Sequence, residues 1–533
     1  MRKSQFVALM VCVIALLGVA GQVAAQDVRY IIKFNAGRGA AGQAAVRAAG
    51  GQVELALDPQ DAVAARIPAA ALNGLARNPN VEYIEEDVIR EPYATWSNTT
   101  SGGETTPYGI QMVQANKIVI DPAQAALKKI CIIDSGYSNG HIDLKDAGVS
   151  ANVTDSGSGT WNRDSCGHGS HVAGTIAAIA ANGTGVVGAN PGVNLHIVKV
   201  FGDDILDGGS CGWTYSSTLV NALNQCTSGS VAANVVSMSL GGGLRSRTEE
   251  NAFNAAYNNG VLSIAAAGNG GNNTTSYPAG YASVVSVAAV DANEVVASFS
   301  QRNKDVELAA PGVSVLSTVP WVETNTLSAN GQTWIGGRMD NASRTNGTSG
   351  LLIDGGLCGS AGAWTGRVVL CQRGGGLSFA AKVANVQAGG GVAAVVYNNV
   401  ASDSSCNVFA GTLGDAPTTT IPTITLSCAD GSQALGQVGQ NGTVVSSVVF
   451  ASSGYESWDG TSMATPHVSA VAALIWACNA SKTAKQVRDA LDKSALDKAV
   501  VGRDTSYGFG IVQAKAALSL LGISPSGACS TIP

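Results

Sequence analysis

Ile130-Cys131-Ile132-Ile133-Asp134-Ser135-Gly136 is the stretch on which the reading of this sequence turns. Four apolar residues, three of them β-branched, run without a polar break and stop at an acid followed by a turn signal. Such a run suits a strand buried on both faces of a parallel sheet covered by helices. The pattern recurs at Leu195–Val200, Val235–Leu240, Val261–Ala266 and Val284–Val290, between segments of helical character. From Pro107 onward the expectation is an α/β domain of three layers, with a mainly parallel sheet in the middle.

On the N-terminal side, residues 27–93 read differently. Strand-like Tyr30–Phe34, Asp61–Ile67 and Val81–Ile84 alternate with Ala-rich helices at Ala40–Ala49 and Ala69–Arg77, a small α+β unit of βαββαβ type. A polar stretch, Ser97–Thr106, follows as a linker. At the very start, Arg2 and Lys3 precede apolar Phe6–Ala20 and small Val23, Ala24 and Ala25, the form of a signal peptide over residues 1–25. Its apolar run of about 15 residues is shorter than the roughly 20 a membrane span needs. The expectation is a secreted, extracellular chain with no membrane segment once the signal is removed. Eleven cysteines agree: Cys12 leaves with the signal, and an even number remains, as disulfides in an exported chain require. None forms a CxxC pair, so no zinc site is expected.

On the other side the α/β pattern breaks at Trp321. Residues 321–454 are rich in Gly, Thr, Ser and Val, with strand candidates at Arg367–Cys371, Val392–Tyr397 and Val444–Phe450 and one helix at Phe379–Ala388. This reads as a β-rich domain inserted between two parts of the α/β domain, residues 94–320 and 455–522, with 523–533 as a tail. Helices are expected again at Ser462–Ala477 and Thr483–Ser494. The 533-residue chain is 45% hydrophobic and only 13% charged, where an average domain is about 25% charged. Its 31 Lys and Arg are outnumbered by 37 Asp and Glu, which argues against a nucleic-acid partner.

Three segments carry chemistry. Asp134 ends the first buried run, His168 opens an apolar helix in Gly167-His168-Gly169-Ser170-His171, and Ser462 starts another in Gly460-Thr461-Ser462-Met463-Ala464. A serine is a weak nucleophile at neutral pH until a base takes its proton and an acid orients that base. His171 and His467, on the same two helices, read as packed structural groups.

These motifs, in the order Asp, His, Ser, together with Ala265-Ala266-Ala267-Gly268-Asn269, resemble the subtilisin-like serine peptidases, the subtilases. The resemblance implies Ser462 as nucleophile, His168 as general base and acid, Asp134 as orienting carboxylate and Asn269 as oxyanion donor with the Ser462 N–H. Ser170 stands where the family usually has Thr. For substrate, the resemblance implies backbone pairing with Ser239, Leu240 and Gly241 on one edge and Gly212 and Trp213 on the opposing edge. Ala266, Ala267 and Gly268 would wall an open, apolar-tolerant first pocket, with Tyr277 and Pro278 near its base. Protein and peptide substrates are implied, with no cofactor needed for the chemistry and a monomeric enzyme.

The same resemblance makes residues 26–93 an inhibitor-like propeptide, its signature Val81-Glu82-Tyr83-Ile84-Glu85-Glu86-Asp87, with self-cleavage after Tyr93 and a mature start between about Ala94 and Pro107. The insert resembles a protease-associated domain through Gly366–Gly374, Phe379, Lys382, Ala388–Gly390 and Val395–Asn399. Cys358–Cys371, Cys406–Cys428 and Cys478–Cys529 are the expected local bridges. For Cys131, Cys166, Cys211 and Cys226 three connectivities exist; proteinase K-like members favour Cys131–Cys226 with Cys166–Cys211, while Cys211–Cys226 is the local alternative. Asp143 matches a position that often contributes to a structural calcium site, but Ala181–Gly188 brings no carboxylate. A rival reading from another class is a catalytically silent member that only binds proteins.

Overall fold

Alternation along one strand builds the layers. Ile130 and Ile132 of the Lys129–Asp134 strand join a buried cluster with Met463, Val468 and Val471 of the Thr461–Cys478 helix. Cys131 and Ile133 point the other way, into a second cluster with Leu219 and Leu223 of the Ser216–Thr227 helix. The period of two therefore puts helices on both faces of one sheet. The computed structural model describes residues 28–92, 95–97, 103–146, 149–153, 158–162, 164, 166–202, 212–229, 232–340, 342–343, 345–399, 406–409, 411–413, 419–450, 454–523 and 528–532. The expected signal peptide lies outside them.

The sheet has seven strands in the order Leu308–Pro311, Val284–Val290, Leu262–Ala266, Val235–Met238, Lys129–Asp134, Asn194–Lys199 and Val149–Val153. Every neighbouring pair is parallel. The five apolar runs form its interior, and its two outer strands are the ones composition does not reveal. Val149–Val153 carries Ser and Asn, and Leu308–Pro311 is four residues ending in a proline, which an edge tolerates.

Residues 29–86 fold as a four-stranded antiparallel sheet in the order Gln52–Leu57, Ala62–Arg66, Arg29–Phe34 and Val81–Glu86. One face holds a small core of Ile32, Phe34, Val46 and Leu75 with its own two helices. The other presents Ile31, Leu57 and Ala62 to the helix-covered side of the large domain.

The insert is a nine-stranded mixed sheet. Its first strand, Trp321–Ala329, pairs antiparallel with its last, Asn441–Phe450, so the chain enters and leaves side by side. Helix Phe379–Ala388 is as expected, but a second, Cys428–Leu435, is present too. Gly431 in its middle lowers helix propensity, yet a Cβ there would come within 2.4 Å of Tyr397 Cβ. Close packing outweighs propensity at that position. Disulfides join Cys131–Cys226, Cys358–Cys371, Cys406–Cys428 and Cys478–Cys529. The first of these excludes the local Cys211–Cys226 alternative. Cys166 is also disulfide-bonded; Cys211, its expected partner, lies outside the described residues.

Candidate active site

Asp134 is the last residue of the strand at which sheet order reverses, with a later strand on each side. Crevices at the carboxyl ends of parallel strands open at such points. His168 opens the helix His168–Ala177, and its Nδ1 lies 2.7 Å from Asp134 Oδ1. Both side chains are buried. The contact puts the imidazole proton on Nδ1, and Nε2 makes no hydrogen bond to any described residue. Asp164 locks the frame around this pair: it accepts from Ser135 Oγ at 2.8 Å, Gly167 N at 2.8 Å, and Ser170 N and Oγ at 2.7 Å each. Ser170 thus supplies the hydroxyl that its position needs without the extra methyl of Thr. Nothing in the sequence reading pointed to Asp164.

Ser462 is the second residue of Thr461–Cys478 and is buried. Its Oγ donates to Ser239 O at 2.9 Å, and Ser239 Oγ donates back to Ser462 O at 2.7 Å. Pro466 explains the second bond. In an unbroken helix the N–H of residue 466 would donate to Ser462 O, and proline has none. The carbonyl is left for Ser239.

Asn269 follows the Leu262–Ala266 strand. Its Oδ1 accepts from Thr461 N at 2.9 Å and Thr461 Oγ1 at 2.8 Å, which leaves the amide N–H groups as its donors beside Ser462. Met238 lies opposite Ala265, so Ser239–Gly241 and Ala266–Gly268 leave the sheet side by side. Gly242 bridges Tyr277 across two hydrogen bonds of 2.9 and 2.8 Å.

The remaining histidines are engaged elsewhere. His171 stacks on Trp458 at 4.6 Å and contacts Glu456 O at 3.1 Å; burial lowers its pKa to about 3. His467 Nδ1 meets Met463 O at 2.8 Å, and burial lowers its pKa to about 4. Asp143 accepts from Asn182 Nδ2 at 2.6 Å and from Val186 N at 2.8 Å, one donor to each carboxylate oxygen. Among the described residues no group of three or more His, Cys, Asp or Glu could hold a metal ion.

The N-terminal unit reaches into the crevice. Ile89–Pro92 lies antiparallel between two edges: Pro92 pairs with Leu240 and Glu91 with Gly241, while Arg90 pairs with Thr214 and Ile89 with Tyr215. On the second edge the pairing residues are thus Thr214 and Tyr215, not Gly212 and Trp213, which precede the strand. Continued register would set Gly212 opposite Pro92, which has no N–H to give. Beyond residues 93 and 94 the chain forms a further strand, Thr95–Ser97, paired with Tyr455–Asp459 just ahead of Ser462. Of the expected linker Ser97–Thr106, only Ser97 belongs to this strand.

The acidic run anchors the same unit. Glu85 accepts from Ser246 Oγ at 3.0 Å and from the N–H groups of Arg247 and Thr248 at 2.9 Å. Asp87 accepts from Ser217 N at 2.8 Å and pairs with Arg29 at 2.8 Å. Two helix N-termini of the large domain, Arg247–Asn258 and Ser216–Thr227, are thereby capped by carboxylates, the charge that helix ends favour.

A parallel sheet with an Asp–His pair and a helix-borne Ser at its carboxyl ends defines a hydrolase of the serine-peptidase class. The model of the subtilase family matches residues 128–350 and 411–510, and that of the PA domain matches 340–434. Subtilisin DY of Bacillus licheniformis is 41% identical over 221 residues, 41% of this chain and 76% of that protein. Among solved structures, the subtilisin-like protease Apa1 of the Antarctic Pseudoalteromonas sp. AS-11 shares 38% identity at a TM-score of 0.50, covering 79% of this chain and all of that one. Fervidolysin of Fervidobacterium pennivorans, at 22% identity and a TM-score of 0.59 over 94% of this chain and 61% of its own, shares the fold. The chain belongs to the subtilase family and is a serine endopeptidase with a PA domain. No helix among the described residues is long and apolar enough to cross a membrane.

Proposed function

We propose that this chain is a secreted, monomeric endopeptidase made as a self-cutting precursor. Ser462 attacks the peptide carbonyl, His168 takes its proton through Nε2 and later gives it to the leaving amine, and Asp134 holds the imidazole. Asn269 and the Ser462 N–H receive the charge of the tetrahedral oxyanion. Water then hydrolyses the acyl-enzyme by the same route, so no cofactor enters the chemistry. Residues 26–93 act as an intramolecular inhibitor until the first cut.

One observation carries this reading. Ile89–Pro92 and Thr95–Ser97 are both held as strands next to the segments that bear Ser239 and Ser462, with only two residues between them. That is how a substrate would lie across the nucleophile, with cleavage after Tyr93. Ser462→Ala removes one hydroxyl and should accumulate a folded precursor that still carries the N-terminal unit, while wild type yields a chain starting near Ala94. N-terminal sequencing of both, expressed in a peptidase-deficient host, reads the outcome. Trimming of the variant at the wild-type position would assign maturation to another enzyme. A fluorophosphonate adduct on Ser462 of the mature chain separates the peptidase from a silent protein-binding relative.

A further inference from the structure

The strand Ile89–Pro92 buries one side chain only, and that side chain is a cation. Arg90 is fully buried, whereas Ile89 and Glu91 on either side are exposed. Its guanidinium meets Glu249 of the peptidase domain, Nη2 to Oε1 at 2.9 Å and Nε to Oε1 at 3.3 Å, with both side chains at 0% exposure. The space is made by Gly242, where a Cβ would lie 2.4 Å from Ile89 O and 3.1 Å from Arg90 Nη1.

Glu249 has an ordinary use available and does not take it. Ser246-Arg247-Thr248-Glu249 has the sequence of a capping box, and Ser246 Oγ does accept from Glu249 N at 3.2 Å. The reciprocal bond, from Ser246 N to the Glu249 carboxylate, is absent: Ser246 N donates to Tyr281 OH at 3.1 Å instead. The carboxylate is therefore turned from its own helix end into the groove where the strand lies. A buried carboxylate without a partner is costly, and removing one member of a buried pair costs far more than the pair gains.

We propose that Glu249 selects substrates with a basic side chain, arginine above all, at the fourth residue before the cleaved bond. The position follows from cleavage after Tyr93 and so rests on the peptidase reading above. When the N-terminal unit departs, Glu249 remains in the groove between the two substrate-pairing edges. A peptide with arginine there restores the charge-assisted contact, and an uncharged side chain covers the carboxylate without a countercharge. Arginine should exceed lysine, since the pair uses two donors of one planar fork.

The test uses the mature enzyme and three fluorogenic peptides, Arg-Glu-Pro-Tyr and its citrulline and alanine counterparts at the first position, with the leaving group after Tyr. Citrulline keeps the shape of arginine and drops the charge. Arginine should raise kcat/KM over citrulline by about tenfold or more. Glu249→Gln should abolish that ratio; if this variant does not fold, the wild-type ratio decides alone. Equal cleavage of the arginine and citrulline peptides by wild type overturns the proposal and leaves the peptidase reading intact. An enzyme that cleaves none of the three overturns the peptidase reading instead. The pocket is then read by fluorescence anisotropy with labelled Ile-Arg-Glu-Pro-Tyr against its citrulline form, and equal affinities would again refute a role for Glu249.

Discussion

The two large sheets of this molecule differ in how uniformly their strands are buried. In the seven-stranded parallel sheet, Val235–Met238, Leu262–Ala266 and Val284–Val290 are buried at every position. In the nine-stranded sheet of the insert, Ala393–Tyr397 and Thr423–Leu426 are buried as fully, but Thr345–Asp354 has only two buried residues, Gly350 and Leu352. Burial on both faces leaves the first sheet no surface except the ends of its strands, and Asp134, Ser239 and Asn269 all lie at or just past those ends. The insert sets long polar strands beside fully buried middle ones, and the chain enters and leaves it side by side on one antiparallel pair. Precise chemistry sits where packing fixes every neighbour, while the part with freedom to vary is spliced in at one place.

Five changes would sharpen or break this contrast. Asn269→Ala, at the end of a parallel strand, should act on turnover more than on binding, because its donors matter chiefly in the transition state. The loss known for removing such a donor in a subtilisin is about 10²–10³ in turnover, and steady-state kinetics would show it here; unchanged turnover would exclude Asn269 from the oxyanion site. Next in size is a matched pair of cavities. Ile132→Ala and Leu370→Ala each delete a fully buried side chain and should cost about 2–5 kcal/mol. Denaturant unfolding followed with activity should show Ile132→Ala shifting the loss of activity, and Leu370→Ala shifting only a transition that leaves activity in place. If both shift activity alike, the two sheets fold as one unit.

A smaller effect concerns pH. His171 is held neutral by burial, with its pKa lowered from 6.5 to about 3. The unfolded chain takes up that proton below about 6.5 and the native one does not, so stability falls as pH drops from about 6.5 towards 3. His171→Phe keeps a ring against Trp458 and should flatten that part of the melting-temperature profile. An identical acid slope in the variant would place the sensitivity elsewhere. Least affected should be the enzyme whose insert is excised between Val322 and Val449, which pair directly, and closed by a short turn. Cleavage of small peptides should stay within about fivefold of wild type, as expected for separate sites; a collapse in kcat/KM would show that the insert supports the crevice.

What could be read from the sequence follows the same division. The five interior strands announce themselves as apolar runs because water is excluded from both their faces. The long strands of the insert do not, since Thr, Ser, Asn and Gly along Trp321–Ala329 and Thr345–Asp354 blur any alternation. Asp134 and His168 stand in short motifs, and the structure brings them into contact. Residues that support them are scattered. Asp164 precedes the histidine motif in a loop, and the use of Ser239 Oγ depends on a bond that Pro466 fails to make. Glu249 is hidden by a sequence that already has a local explanation. Such roles arise from contacts between distant segments, and no spacing along the chain encodes them.

The strand Ile89–Pro92 is attached to the folded chain at both ends, and this gives maturation a kinetic order. An end-tethered segment meets its site at an effective concentration fixed by the tether and not by the amount of protein in solution. Diluting the precursor would leave the half-time of the first cut unchanged, and added peptide would compete poorly for the groove. Once the bond after Tyr93 is broken the segment keeps its contacts but loses one anchor, and its hold becomes an ordinary dissociation equilibrium. Release of activity would then respond to dilution, although the cut itself does not.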